Sequence, residues 1–301
     1  MIEFHDRRVF TCRVRNKDKI AIREFHEFVN SHYVLVASEL DLAGRTMVDC
    51  LAAKFGFVRN ETLPATYTSL QFPKATLHIS QSDLLHMEDL DQFFPRASAF
   101  IFLSKHKSDS KIPTLTCHCT GNFGSNPYGG NPRELGISSP SLQKTYLREL
   151  TAARNLAPEY EIVIEATHHG PTSLSKPVLF VELGSSESQW ADSNAASLIC
   201  KVVLEVIQRG PEKCKKVGIG LGGTHYPGKF NDLLLESEFG LAAVASKHSL
   251  DYVDEQMLDQ MLLKSTEQVT TIIVDGKGLG SHKERILQMV SKMDLELLNL
   301  K

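Results

Sequence analysis

The sequence lacks any apolar run of the roughly 18 residues that a helix needs to cross a bilayer, and its start, Met1 to Arg8, lacks the apolar region of a secretory signal. A membrane-spanning or exported protein is therefore not expected, and a cytoplasmic location is. It also lacks an excess of positive charge, since 33 Lys and Arg against 36 Asp and Glu leave a formal net charge of −3. General electrostatic binding of nucleic acid normally rests on accumulated Lys and Arg, so this balance argues modestly against it. A local basic rim escapes a net count, and Lys105, Lys107, Lys111, Arg133, Lys144 and Arg148 are candidates for one. The six cysteines have no disulfide-framework spacing and are expected to stay reduced in a cytosolic compartment. Internal repeats and low-complexity tracts are absent too. What remains is a 301-residue chain, 42% hydrophobic and 23% charged, able to bury a substantial core.

What is present is an alternation of strand-like and helix-like segments. Tyr33–Ser38 reads as a buried strand, followed by a helix over 41–55 that closes at Gly56. Further strands are expected at 75–78, 99–103, 114–119, 161–167, 178–183, 216–221 and 270–274. The best helices are 140–155, with Ser139 as N-cap and Pro140 in the first turn, 187–209, ended by Gly210, and 282–298. The alternation predicts an α/β fold, a mainly parallel or mixed sheet with helices on both faces. Residues 1–32, with a short amphipathic helix at 17–30, read as an N-terminal addition to a single domain over 33–301. The Gly-, Pro- and Asn-rich stretch 122–139 has no periodicity and is expected to be an ordered binding loop or lid.

Three segments put histidine beside small or polar residues where a strand is expected to end: Thr116-Cys117-His118-Cys119-Thr120-Gly121-Asn122, Thr167-His168-His169-Gly170-Pro171 and Gly222-Gly223-Thr224-His225-Tyr226-Pro227. With Ser104-Lys105-His106 and Gly184-Ser185-Ser186 they make five marked segments, all expected beyond the carboxyl ends of strands, where open α/β sheets bind ligands. Neutral imidazoles are the usual ligands of zinc, and a hydrolytic zinc takes about three of them and leaves a position for water. His168, His169 and His225 are the candidate metal ligands. On a regular strand His168 and His169 would point apart, so both can ligate only if the turn at Gly170-Pro171 rotates one of them; otherwise one packs. Alternation also aims Cys117 and Cys119 at one face and His118 at the other, which makes the cysteines buried fillers. His106 and His118 are weaker candidates as proton carriers, and Glu182, ahead of Glu165, is the acidic partner that could orient imidazoles or deprotonate water. Lys105, Thr120, Asn122, Arg133 and Tyr226 are candidate substrate contacts, with Gly222 and Gly223 able to bring backbone N–H groups close to a phosphate or oxyanion. The run Gly276-Lys277-Gly278-Leu279-Gly280-Ser281 invites a dinucleotide reading, but the third glycine of G-x-G-x-x-G falls at Ser281, so it reads as a turn into the last helix with Lys277 near the site.

The segments TLTCHCTGN, ATHHGPTSL and GLGGTHY, in that order, resemble the archaeal and plant type of D-aminoacyl-tRNA deacylase, with further similarity at Ser104 to Ser108 and at Phe180 to Ser185. The resemblance runs from about Tyr33 to the C-terminus. It implies a fold similar to nucleoside phosphorylases and peptidyl-tRNA hydrolases. The implied activity is hydrolysis of the ester of D-aminoacyl-tRNA, with zinc as cofactor, the acceptor end of tRNA as partner and translation quality control as role. A monomer is expected. Two other classes remain open on the residues alone: a nucleoside phosphorylase-like or other small-molecule enzyme that would use the glycine-rich turn and Lys105 for phosphate, and a tRNA-binding module without catalysis.

Overall fold

The computed structural model describes residues 32–301. The helix expected at 17–30, and all but the last residue of the N-terminal addition, lie outside the described residues. In chain order the strands are β1 (Tyr33–Ser38), β2 (Val58–Arg59), β3 (Thr66–Thr68), β4 (Ala75–Ser80), β5 (Ala99–Lys107), β6 (Thr114–His118), β7 (Gly121–Asn122), β8 (Glu134–Leu135), β9 (Glu161–Ile164), β10 (Val178–Ser185), β11 (Lys216–Leu221), β12 (Phe239–Ala245), β13 (Thr271–Asp275) and β14 (Glu296–Leu300). The helices are α1 (Leu42–Phe55), α2 (Leu90–Phe93), α3 (Pro140–Ala152), α4 (Glu187–Trp190), α5 (Ser193–Arg209), α6 (Gly228–Glu236), α7 (Glu255–Leu263) and α8 (Lys283–Val290).

The α/β class holds, but the strands divide between two main sheets. An eight-stranded sheet runs β2-β3-β4-β1-β5-β10-β6-β9, a four-stranded one runs β12-β11-β13-β14, and β7 and β8 make a short ribbon. Strands β4, β1, β5 and β10 are parallel, whereas β6 is antiparallel to β10 and parallel to β9. The four-stranded sheet is parallel throughout and has helices on both faces. There α7 and α8 bury Met257, Leu258, Met261 and Ile286 on one side, while α6 buries Phe230 and Leu234 on the other. The eight-stranded sheet has α1, α3 and α5 on one face only. Its other face carries short elements and loops around Leu84, Leu90 and Leu174.

Side-chain alternation explains what that second face does. Leu35, Ile101, Leu103, Leu115, Cys117, Val181 and Leu183 point to the helices, each burial contributing about 1.5–3 kcal/mol for the larger aliphatic groups. Val34, Val36, Phe100, Phe102 and Phe180 point the other way. Farther along the same strands, positions of that second parity become Ser38, Ser104, His106, Thr116, His118 and Glu182, all buried. A polar cluster thus grows directly out of an apolar sheet face. Cys117 and Cys119 are buried thiols, as alternation required.

Several boundaries differ from expectation. Strands β5 and β10 continue to Lys107 and Ser185, so Ser104-Lys105-His106 and Gly184-Ser185 lie on strands and not beyond them. Helix α1 begins where Asp41 accepts from Gly44 N at 2.9 Å and ends at Gly56 in the left-handed conformation, φ 67°. The helix expected over 187–209 is two, because the Asp192 side chain accepts from the N–H groups of Asn194 and Ala195 and starts α5 anew. The helix expected over 282–298 stops at Val290, and β14 then pairs with β13.

Candidate active site

Because β6 is antiparallel to β10, the marked segments cannot all lie beyond one common strand edge. They meet on the face of the sheet. Glu182 sits beside Ser104 on β5 and Thr116 on β6, while His118 pairs with Phe180 and His106 with Gly184. A side chain at Gly184 would collide with His106, its Cβ standing 2.3 Å from the His106 carbonyl oxygen, so glycine is required for His106 to be there. The chain then leaves β9 after Ile164 and folds Glu165, His168 and His169 over the same face, held by Gly121 N donating to the His169 carbonyl at 2.8 Å. His169 lies in the left-handed region at φ 43°, and this turns its ring toward that of His168, centroids 4.3 Å apart. His225 arrives from the other sheet, after β11. Ser104, His106, Glu165, His168, His169, Glu182 and His225, with Asp41, Asp83, Lys105, Lys107 and Tyr128, line a cavity of about 480 Å³, and His118 is fully buried against His168 and His169.

Two charge systems share the cavity. In the first, His106 Nδ1 stands 3.1 Å from Glu165 Oε1 and 3.5 Å from Glu182 Oε2, all three side chains buried. Burial opposes the charged imidazole, but the two carboxylates outweigh it and raise His106 to about 10. Glu165 and Glu182 are held below the ordinary carboxylate range against their own burial, Glu165 by His106 and His225 and Glu182 by His106 and His118. His225 Nε2 lies 2.6 Å from Glu165 Oε2.

The second system is a cluster of rings, His118, His168 and His169, with neighbouring centroids 4.1–4.7 Å apart and His118 stacked on Phe180. In each ring Nδ1 faces a backbone carbonyl: Cys119 at 3.2 Å for His118, Ala166 at 2.9 Å for His168 and Gly170 at 2.8 Å for His169. A carbonyl only accepts, so each Nδ1 carries the proton and each Nε2 is left as the free ligand position. One ring nitrogen from each of the three histidines lies within 4.8 Å of the others, as do single ligand atoms of Glu165, His168 and His225, and of His106, Glu165 and Glu182. His118 Nε2 is buried without a hydrogen-bond partner. Burial lowers His168 well below the usual imidazole range and His169 to about 3, which keeps both neutral. His118 is raised, because Glu182, 3.6 Å from its Nε2, outweighs burial.

Six of the seven expected histidine and glutamate positions therefore line this cavity and the seventh, His118, packs against His168 and His169, but their grouping differs from the expected one. His169 groups with His118, while His225 groups with Glu165, and His168 belongs to both sets. Glu165, ranked behind Glu182 on the sequence, is the more central carboxylate. Its spacing of three residues before His168 was the available signal. Tyr226 hydroxyl lies 3.0 Å from His106 Nε2, and Lys105 lines the rim. Thr120 and Asn122 lie beneath the site: Thr120 bridges to His168, and Asn122 Nδ2 donates to the carbonyls of Gly129 and Asn131, shaping the loop that brings Tyr128 to the cavity. Arg133 does not line the cavity, since its guanidinium pairs with Asp254 at 2.6 Å. Lys144 is buried, donating to the carbonyls of Ser237 and Phe239, and Arg148 pairs with Glu212. Gly222 and Gly223 turn away from the histidines, and Gly223 lines a separate crevice.

An α/β protein with this buried histidine and carboxylate cavity has the equipment of a hydrolytic enzyme. The chain belongs to the D-aminoacyl-tRNA deacylase family, whose profile matches residues 93–298. It is 41% identical to the D-aminoacyl-tRNA deacylase of Cenarchaeum symbiosum over 66% of this chain and 77% of that one. It is 32% identical to that of Staphylothermus marinus over 85% of this chain and 94% of the relative. Among solved structures it is similar to the crystal structure of a conserved protein of unknown function, AF0625, with TM-score 0.81 and 28% identity over 89% of this chain and 95% of that one. Among the described residues no helix is long and apolar enough to cross a membrane.

Proposed function

We propose that this protein hydrolyses the ester bond of D-aminoacyl-tRNA, releasing the D-amino acid and free tRNA, at the histidine cavity and with zinc as its resident metal. Family membership supports the reaction. The observation that carries the metal is the set of three imidazoles that each hold Nδ1 against a backbone carbonyl and bring one ligand nitrogen apiece within 4.8 Å of the others. Such carbonyl contacts are how ligating histidines are oriented in metal sites. Neutral His168 and His169 suit a divalent cation, and at His118, which Glu182 draws toward protonation, a cation can take the place of the proton. His118, His168 and His169 would hold the metal, with Glu165 and His225 beside them. When bound, zinc supplies Lewis acidity and lowers the pKa of a water to about 7.

The chain's own groups divide the remaining work. His106, cationic at neutral pH, is ion-paired through Nδ1 with the two glutamates and donates through Nε2 to the Tyr226 oxygen. The Tyr226 hydrogen is then free to be donated outward, and because burial raises this phenol it stays protonated. Tyr226 thus suits the ribose oxygen, which gains a proton as the bond to the acyl carbon breaks and water supplies the new carboxyl oxygen. Glu182 and Glu165, ionised, hold the imidazoles in place. Matched D- and L-tyrosyl-tRNA, assayed with and without chelator, test the proposal. Cleavage of the D-ester alone, abolished by chelator and restored by zinc, is expected. Equal rates on both esters, or full activity without metal, would overturn it.

A further inference from the structure

A second crevice, of about 650 Å³, opens at the carboxyl edge of the four-stranded parallel sheet, lined by Lys229, Lys247, Lys277, His248 and His282 among others. Two glycine turns that the histidine chemistry does not use form its floor. One follows β11, with Gly222 at φ 103° and Gly223 at φ 80°; the other follows β13 at 276–280. Their backbones touch: a Cβ on Gly278 would stand 2.2 Å from Gly223 N, and one on Gly222 would stand 2.9 Å from the Asp275 carbonyl. Glycine at these positions lets the two turns pack backbone against backbone as one wall of the crevice, while the space at Gly228 and Gly280 stays open. Helix α6 begins at this wall with no side chain capping it.

The charge balance is positive. The carboxylate on the lining, Asp275, is engaged by Lys229 Nζ at 2.7 Å. His282 pairs with Asp251 at 3.6 Å. Lys247 and Lys277 have no carboxylate partner among the described residues, and both are exposed. Two unpaired ammonium groups on one crevice lining suit phosphate oxygens, with the Lys as point charges. The turn over 222–227 joins this crevice to the histidine cavity, since Gly223, Thr224 and Pro227 line the first while His225 lines the second.

We propose that this lysine crevice is a phosphodiester-binding site that holds the backbone of the RNA acceptor strand while its aminoacylated end lies at His225. The identity of the phosphate donor rests on the deacylase reading above. The test uses the full-length protein and a fluorescein-labelled, uncharged RNA hairpin with a single-stranded 3′ end, with affinity followed by anisotropy across a salt series. Lys247→Ala/Lys277→Ala should weaken binding about tenfold near physiological salt and lower the salt slope by about 1.4, at roughly 0.7 for each single-strand phosphate that is no longer neutralised. Lys247→Arg/Lys277→Arg should restore most of it. Lys201→Ala, on the exposed side of α5, serves as the control for general charge loss. Unchanged affinity and slope in the double alanine variant overturn the site. Hydrolysis of D-aminoacyl-RNA by the unaltered protein is scored separately: if it fails while RNA binding still depends on the two lysines, the deacylase reading falls and the phosphate site stands. Hydrolysis together with lysine-independent binding gives the reverse.

Discussion

The histidine cavity and the lysine crevice lie on either side of one turn and treat charge in opposite ways. In the cavity the cationic His106 is flanked by two buried carboxylates, and three rings are fixed by carbonyl contacts. In the crevice two exposed lysines line the wall without a carboxylate partner among the described residues. A reacting centre gains from dipoles fixed before the reaction begins, because reorganisation is then small. A backbone-holding site gains from field strength and tolerance of position. The sharpest way to break this contrast is at the rings. His169→Ala should abolish zinc retention, measured by elemental analysis after dialysis, and reduce kcat on the order of 10³-fold, since metal activation supplies several kcal/mol. An alanine variant that retains full metal and turnover would place the metal elsewhere.

The balanced-charge half of the contrast is tested by stability. Glu165→Gln leaves His106 with one carboxylate in a buried site, and loss of one partner from such a group costs about 3 kcal/mol or more. Urea unfolding in the presence of chelator separates this from metal linkage. A loss below about 1 kcal/mol would mean that the ion group is more hydrated than its burial indicates. A smaller effect is expected at Tyr226, which lies at the cavity edge. Tyr226→Phe should lower kcat about tenfold or more with little change in KM, because it removes a proton donor needed only as the bond breaks. A matching rise in KM with kcat intact would instead assign Tyr226 to ground-state binding.

Much of the fold was legible because local rules governed it. Asp41, Gly56 and the apolar run of β1 set the first strand and helix where the sequence placed them. Legibility failed where tertiary pairing governed. Strand β12, Phe239–Ala245, is rich in Gly and Ala and carries little alternation, and the leucines of β14 mimic helical spacing while the strand is specified by its neighbour β13. At the site, histidine-bearing turns were visible, but the sequence could not show that β6 runs against β10, which brings His118 onto the sheet face beside Phe180 and Glu182. The left-handed backbone of His169, which spacing could not foresee, brings its ring to 4.3 Å from that of His168. Arg133 shows the limit of the rim argument, since chain proximity to His118 did not foresee its pairing with Asp254.

The smallest expected effect sharpens the other half of the contrast. Asp275 is depressed below the ordinary carboxylate range: burial opposes this, but the Lys229 hydrogen bond and the backbone N–H groups of Gly278 and Lys277 outweigh it. A depressed carboxylate contributes stability that is present above its unfolded value, near 3.8, and is lost as pH falls through the lower folded value. Asp275→Asn should therefore cost about 1 kcal/mol at pH 7, given that Lys229 is partly exposed, and the difference should shrink as the pH is lowered below about 4. The same substitution removes the negative charge from the crevice lining and releases Lys229. RNA affinity should consequently rise a few-fold, with a steeper salt slope, while stability falls. Opposite signs for stability and binding are the signature of a lysine held in reserve by a structural carboxylate. If Asp275→Asn weakened RNA binding in proportion to its destabilisation, Asp275 would be shaping the glycine floor, and Lys229 would have no part in holding phosphate.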